Sequence, residues 1–223
     1  MVLKMSKGLF ITFEGGEGSG KSTQIKLLKE YFEKKGKNVV LTREPGGSEG
    51  AEEIRHILLK GGTDRWDKKT EILLFLAARR DHLTKKVWPA LEKGDVVLSD
   101  RFHDSTVAYQ CFGYGYDAKI ETDILALYQF ISDGFKPDLT IVLDIAPEKG
   151  IQRSKARLGN DEQRFEQMDL SFHQNIRQAF LTLARNEPER FIVINADQSI
   201  EQIHQELIIK LEERLNANSA RAN

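Results

Sequence analysis

The sequence is poor in cysteine and has no long apolar run. Cys111 is the single cysteine among 223 residues, so no disulfide can form within the chain; this suits a reducing compartment and predicts a cytoplasmic location. The apolar run at residues 9–13 stops at Glu14, which makes it too short for a signal-peptide core or a membrane span. We therefore expect no membrane partner.

An excess of charge of either sign is also missing. The formal net charge is -1, which gives no long-range attraction for nucleic acid or for an anionic membrane. We therefore expect no nucleic-acid partner, and any phosphate chemistry must come from basic groups placed locally.

The chain has no internal repeat and no linker rich in proline, glycine or serine, which predicts one domain over residues 1–223 with flexible tails at 1–7 and 216–223. Apolar runs rich in β-branched or aromatic residues predict strands at 9–13, 39–42, 96–99, 139–144 and 191–195. Helical spacing predicts helices at 22–35, 51–59, 70–92, 119–132, 147–157, 161–186 and 200–215. This alternation predicts an α/β fold: a five-stranded parallel sheet with helices on both faces and ligands beyond the carboxyl ends of the strands.

A phosphate-binding motif follows the first strand. Residues 15–22 match G-x-x-x-x-G-K-[ST] at every fixed position. The glycines let the backbone wrap around phosphate oxygens, and the next helix presents its positive end. Lys21 would reach the β- and γ-phosphates and Ser22 would hold Mg²⁺. A turn that merely joins strand to helix is the alternative, but the strand before the motif and the helix after it favour nucleotide binding.

Charged residues follow the other strands. Arg43 ends the second strand, where it could grip a phosphate or form a surface salt bridge. Asp100 ends the third strand and suits indirect Mg²⁺ ligation, with Asp144 as the rival. Arg101 could bind an acceptor phosphate. Glu17, inside the phosphate loop, should point away from a triphosphate, towards an acceptor hydroxyl or into solvent.

Three further sets have both a functional and a plain interpretation. Phe75 and Arg79 lie four apart and share a helix face, so they form either a nucleobase pocket or part of the core. A basic helix with Arg153 and Arg157 precedes a break at residues 159–161; it is either a lid that closes over the triphosphate or a solvated face. A polar and aromatic set at near-helical spacing follows Arg101: Ser105, Thr106, Tyr109 and Gln110, of which Tyr109 could equally be a core aromatic.

Together, these segments resemble the thymidylate kinase family from residue 10 to about residue 166. The phosphate loop alone marks only a superfamily. More specific are Thr-Arg-Glu-Pro-Gly-Gly at 42–47, Leu-Phe-Leu-Ala-Ala-Arg at 74–79, and Asp-Arg-Phe at 100–102 followed by Ser105, Tyr109 and Gln110. The resemblance implies a P-loop NTPase fold of the nucleoside-monophosphate-kinase type with a lid at about 150–166. It also implies transfer of the γ-phosphate of MgATP to dTMP, which yields dTDP and ADP in dTTP synthesis.

The resemblance also implies roles for individual residues. Phe75 would stack on thymine, Arg79 would bond its carbonyl, and Tyr109 would lie below the sugar. ATP would contact Gly15, Gly16, Glu17, Gly18, Ser19, Gly20, Lys21, Ser22 and Thr23. The implied substrate-binding set is Glu17, Arg43, Phe75, Arg79, Arg101, Ser105, Thr106, Tyr109 and Gln110. The implied metal-site residues are Ser22 and Asp100, and the implied catalytic residues are Lys21, Arg101, Arg153 and Arg157.

The phosphate loop itself contains no arginine, whereas Arg153 and Arg157 lie in the expected lid. This arrangement resembles the bacterial type of the family, in which the lid supplies the catalytic arginine. The family is usually homodimeric, and apolar residues in 70–91 could serve such an interface. A GTPase switch is the rival from another class, but the chain contains neither N-K-x-D nor D-x-x-G.

Overall fold

The sheet has five parallel strands. The computed structural model describes residues 8–60, 65–155 and 168–222. In these residues the strands are β1 (Leu9–Glu14), β2 (Val39–Arg43), β3 (Val96–Asp100), β4 (Leu139–Asp144) and β5 (Phe191–Asn195). The strand order is β2-β3-β1-β4-β5, and every neighbouring pair is parallel. The predicted strand bounds hold to within one residue.

Helices connect the strands, as the alternation predicts. They are α1 (Lys21–Lys34), α2 (Glu49–Leu59), α3 (Lys68–His82), α4 (Trp88–Glu92), α5 (His103–Thr106), α6 (Ala118–Ser132), α7 (Pro147–Lys155), α8 (Leu170–Asn186) and α9 (Ile200–Ala222). Asp side chains cap the first turns of α3, α6 and α8, where backbone N–H groups have no intrahelical partner. Helix α9 continues past residue 215, the predicted end, so the expected polar tail is helical as far as Ala222.

The predicted helix at 70–92 is not one regular helix. A π-helical turn, Leu83–Val87, joins α3 to α4, and the Trp88 amide donates to the Leu83 carbonyl. Pro89 has no N–H and its ring would clash with the preceding turn of a regular helix, which favours a wider turn at this point. A second π-helical segment, Val107–Phe112, continues α5 and was not predicted as a helix.

Alternate strand residues pack against helices on opposite faces of the sheet. Ile11 and Phe13 join one core with α1 and α9, whereas Phe10 joins another with α3, α4 and α6. A third cluster packs α8 against β4. Fully burying one such side chain contributes about 1.5–3 kcal/mol, so both faces of β1 stabilise the sheet. The prediction of helices on both faces is confirmed.

This topology brings the ends of β1, β3 and β4 together. The connection after β1 runs to β2 on one side of β1, and the connection after β3 runs to β4 on the other side, so the direction of the connections reverses around β1 and a crevice forms at its carboxyl end. The phosphate motif follows β1 directly, and Phe13 pairs with Asp100 at the end of β3. Of the helices in the three described stretches, none is both long and apolar enough to cross a membrane.

Candidate active site

The phosphate loop wraps around the ammonium group of Lys21. Lys21 Nζ donates to the carbonyls of Gly15 and Gly16, both at 3.1 Å. Burial, and then the nearby Arg101, lower the pKa of Lys21. Gly18 has φ +65°, and a Cβ there would lie 2.0 Å from the Gly150 carbonyl of α7. Only glycine fits this contact, so the loop packs directly against the helix that begins the expected lid.

Ser22 and Asp100 lie together at the mouth of this loop. Ser22 Oγ is 3.4 Å from Asp100 Oδ2, and Asp100 Oδ1 is buried without a hydrogen-bond partner among the described residues. The Ser22 hydroxyl oxygen and the Asp100 carboxylate could both serve a metal ion. They fit Mg²⁺, which prefers oxygen ligands and usually keeps water and phosphate oxygens in its coordination shell. The rival, Asp144, forms two hydrogen bonds with Arg177, at 2.6 and 2.9 Å. Asp100 is therefore the better candidate.

A cavity that opens to solvent, with about 610 Å³ of empty space, lies between α2, α3 and the segment after β3. Seven of the nine predicted substrate-binding residues line it, which argues that they form one site: Phe75, Arg79, Arg101, Ser105, Thr106, Tyr109 and Gln110. Pattern analysis had assigned no role to four other residues of the wall: Glu44, Pro45, Arg55 and Leu59. Arg55 and Leu59 lie one helical turn apart on α2 and therefore share a face of that helix. Their spacing alone could not show that this face lines the cavity.

Arg79 is 98% buried in the wall of this cavity. Its Nε donates to Glu44 Oε2 at 2.7 Å, and its Nη2 donates to Thr106 Oγ1 at 2.9 Å. Its Nη1 is buried and has no hydrogen-bond partner in the described part of the chain. An unpaired buried donor is costly, so this nitrogen calls for an acceptor supplied by a ligand.

Glu44 explains why Arg79 is so firmly placed. The peptide bond between Glu44 and Pro45 is cis, and Glu44 is buried. Besides Arg79, its carboxylate contacts His82 Nδ1 at 2.9 Å, and His82 Nε2 lies 2.6 Å from Thr42 Oγ1. In the sequence Glu44 is visible only as part of the motif at 42–47, and its contact with α3 could not be seen from spacing.

Arg101 stands between the phosphate loop and the cavity. Its Nη2 donates to Glu17 Oε1 at 2.7 Å, and its Nη1 donates to Ser105 Oγ at 3.1 Å. The Tyr109 hydroxyl donates to the same Glu17 oxygen at 3.0 Å. Burial alone would raise the pKa of Glu17, but Arg101, Lys21 and the Tyr109 bond outweigh it and lower that pKa. Glu17 is therefore an anion facing the acceptor side.

Glu14 is a further buried carboxyl that the sequence analysis had not singled out. It ends β1 immediately before the first loop glycine, and it accepts hydrogen bonds from Phe102 N, Ser105 N and Ser105 Oγ. Burial, and then the charge of Asp104, raise the pKa of Glu14 to about 8. The sequence feature that could have identified Glu14 is its position as a charged residue at the end of a mostly apolar strand.

Two predicted residues, Arg43 and Arg153, lie outside this cluster. Arg43 is half-exposed and pairs with Glu52 at 3.2 Å, which is the surface salt bridge considered as its alternative role. Arg153 Nη1 donates to the Ala196 carbonyl at 2.9 Å, after β5. Arg157 and most of the expected lid lie outside the described residues.

Comparison with known proteins shows the family of this chain. The family model for thymidylate kinase matches residues 13–207. The chain belongs to the thymidylate kinase family. It is 49% identical over 199 residues to the thymidylate kinase of Caulobacter vibrioides, covering 89% of this chain and 93% of that protein. With the thymidylate kinase of Bradyrhizobium sp. it shares 48% identity over 211 residues, covering 94% and 92%.

A solved structure of the same family has a similar fold. The crystal structure of thymidylate kinase from Ehrlichia chaffeensis matches with a TM-score of 0.72 and 36% identity, over 92% of this chain and 98% of that one. These similarities confirm the resemblance, the P-loop fold and the predicted enzyme class, an ATP-dependent nucleoside-monophosphate kinase. The predicted reaction, phosphoryl transfer from ATP to dTMP in dTTP synthesis, is the known reaction of that family. The roles of individual residues remain predictions.

Proposed function

We propose that dTMP binds in the 610 Å³ cavity and that ATP binds on the phosphate loop, so that their phosphates meet beside Arg101. The free Nη1 of Arg79 is the observation that supports this most strongly. A thymine carbonyl oxygen would be its missing acceptor, while Phe75, four residues earlier on α3, would stack on the ring. Tyr109 would lie under the sugar.

Arg101 would hold the acceptor phosphate. Its guanidinium already lies between Glu17 and Ser105, and a dianionic phosphate would compete for the same donors. Once that exchange occurs, Glu17 would be free to accept from the sugar 3′-hydroxyl. Arg43 would join Arg101 only after leaving its exposed pair with Glu52, a pair worth about 0–1 kcal/mol.

On the donor side, Lys21 would exchange its carbonyl partners for the β- and γ-phosphates, and Ser22 with Asp100 would hold Mg²⁺. When bound, the metal ion neutralises charge on the β- and γ-phosphate oxygens. An oxygen of the dTMP phosphate then attacks the γ-phosphorus, the bond to the β–γ bridging oxygen breaks, and ADP leaves. A phosphate oxygen is already nucleophilic, so no side chain needs to act as a strong base.

Arg153 and Arg157 would stabilise charge on the transferred group after the lid closes. Arg153 would first release the Ala196 carbonyl, to which it is now bonded. Arginines that bind the transferred group only in the transition state raise kcat, because they stabilise the transition state much more than the bound substrates.

A coupled ADP-release assay tests the acceptor. MgATP would be offered with dTMP, dUMP, UMP, CMP, AMP, GMP and thymidine in separate reactions. We expect strong turnover with dTMP, weaker turnover with dUMP and negligible turnover with the others. Preference for a different acceptor would leave the kinase class intact but refute the pocket assigned to Phe75, Arg79 and Tyr109.

We also propose a cytoplasmic homodimer that pairs through α3 and α6. The single cysteine, Cys111, is buried and reduced, which suits the cytoplasm. Helices α3 and α6 pack together, and each exposes a large apolar side chain, Leu73 at 54% and Phe130 at 82%. Covering such side chains favours association. Sedimentation should show a dimer that Phe130→Asp weakens, whereas a monomeric wild-type enzyme at micromolar concentration would contradict the proposal.

A further inference from the structure

Glu14 joins the donor and acceptor halves of the site but takes no part in the transfer described above. It is completely buried, at the end of β1. The Phe102 amide donates to its Oε1 at 2.8 Å, and the Ser105 amide donates to the same oxygen at 3.3 Å. The Ser105 hydroxyl donates to Oε2 at 2.6 Å. The two oxygens of a carboxyl group together have enough lone pairs to accept all three hydrogen bonds.

The turn that Glu14 holds has an unfavourable backbone conformation. Arg101 has φ +69°, in the left-handed region where a Cβ is disfavoured. Its backbone is bonded on both sides: Arg101 N donates to the Phe13 carbonyl at 2.9 Å, and Ser99 Oγ donates to the Arg101 carbonyl at 2.8 Å. The carboxyl group of Glu14 accepts from the amide of the next residue, Phe102. Without that acceptor, the turn would lose the bond that fixes its exit into α5.

The side chain of Arg101 depends on the same contacts. Its Nη1 donates to Ser105 Oγ and, at 3.2 Å, to the carbonyl of Gly15, the residue that follows Glu14. One carboxyl group therefore binds the amide that follows Arg101 and orients the hydroxyl that the Arg101 guanidinium binds. We propose that Glu14 is a positioning residue that holds Arg101 in the geometry needed to bind the acceptor phosphate. This inference rests on the proposed role of Arg101.

Because Glu14 can ionise, the proposal predicts that the affinity for dTMP depends on pH. Within the described parts of the chain, the titratable groups that interact with Glu14 are Asp104, Arg101, Lys21 and Tyr109. With its pKa near 8, Glu14 changes from neutral to anionic between pH 7 and 9. The acceptor phosphate stays dianionic over that range, because its second pKa is about 6. Affinity for dTMP should therefore fall as Glu14 ionises and repels the phosphate.

Three variants of the full-length enzyme test this. Glu14→Gln keeps an oxygen for the two amides but cannot ionise, whereas Glu14→Met fills the space without any acceptor. Arg101→Lys measures what loss of the guanidinium does by itself. Glu33→Gln is the matched control, because Glu33 is an exposed residue of α1 that pairs with Lys29 on the same helix. KM for dTMP and for ATP would be measured from pH 7 to 9, with thermal unfolding to check the fold.

We expect Glu14→Met to raise KM for dTMP about tenfold or more, since buried donors lose their acceptor, while KM for ATP stays unchanged. Glu14→Gln should restore most of the loss and abolish the rise of KM for dTMP between pH 7 and 9. A folded Glu14→Met enzyme with wild-type KM for dTMP would overturn the proposal. If Glu14→Met does not fold, a wild-type pH profile in Glu14→Gln overturns it instead.

Arg101→Lys separates this inference from the proposed function. If KM for dTMP rises in Arg101→Lys while both Glu14 variants match the control, only the role of Glu14 fails. If Arg101→Lys leaves KM for dTMP unchanged, Arg101 does not hold the acceptor phosphate, and the inference about Glu14 fails with it.

Discussion

Replacing Arg79 with lysine tests the assignment of the nucleobase pocket. The arginine fork bonds Glu44 and Thr106 and leaves Nη1 free for the base. A lysine keeps the positive charge beside buried Glu44, but a single nitrogen cannot serve all three positions. A hydrogen bond from a charged donor contributes about 1.5–3 kcal/mol. Its loss should therefore lower kcat/KM for dTMP about 10- to 150-fold, since 1.4 kcal/mol is a factor of ten.

The assay is ADP release with varied dTMP at saturating ATP, and with varied ATP at high dTMP. Arg80→Lys is the matched control, because Arg80 is the next residue on α3 but is exposed and donates to the Ile131 carbonyl. The loss should appear in KM for dTMP, with KM for ATP unchanged in both variants. If Arg79→Lys is folded and keeps the wild-type kcat/KM for dTMP, Nη1 does not bind the base and the pocket is misassigned.

Three further predictions concern the phosphate loop, the metal site and stability. Lys21→Ala should lower kcat about 10²- to 10³-fold without lowering the melting temperature, and wild-type turnover in this variant would contradict the donor site. Asp100→Asn should raise the Mg²⁺ concentration for half-maximal rate about 10- to 100-fold, measured by titration at fixed ATP; an unchanged requirement would point to another acid. Because burial and then Asp104 raise the pKa of Glu14 from 4.5 to about 8, the folded state binds a proton that the unfolded state releases in this window. The free energy of unfolding should therefore decrease between pH 4.5 and 8, and urea unfolding of Glu14→Gln should show a weaker decrease; equal slopes would show that Glu14 does not titrate there.

Local patterns were sufficient for the strands, for most of the helices and for the phosphate loop. A strand, a glycine-rich loop and the first turn of a helix are encoded in consecutive residues, so Lys21 and Ser22 could be identified without a fold. The buried strands were found with accurate bounds because apolar, β-branched runs are continuous when both faces are covered. A 3.6-residue period does not describe the π-helical segments at 83–87 and 107–112, so the first was predicted as part of one regular helix and the second was not predicted as a helix.

Sequence patterns alone were therefore enough for the phosphate loop and the α/β alternation, and the resemblance added a predicted set of substrate residues. How these residues are held became clear only from the three-dimensional fold. Glu14 and its partners Phe102 and Ser105 are 88 and 91 residues apart, and Glu44 is 35 residues from Arg79. Such contacts follow from the strand order β2-β3-β1-β4-β5, which puts the ends of β1 and β3 side by side. Residue spacing specifies which elements form, but it cannot specify which carboxylate lies next to which arginine, because that depends on how the sheet is ordered and which faces the helices cover.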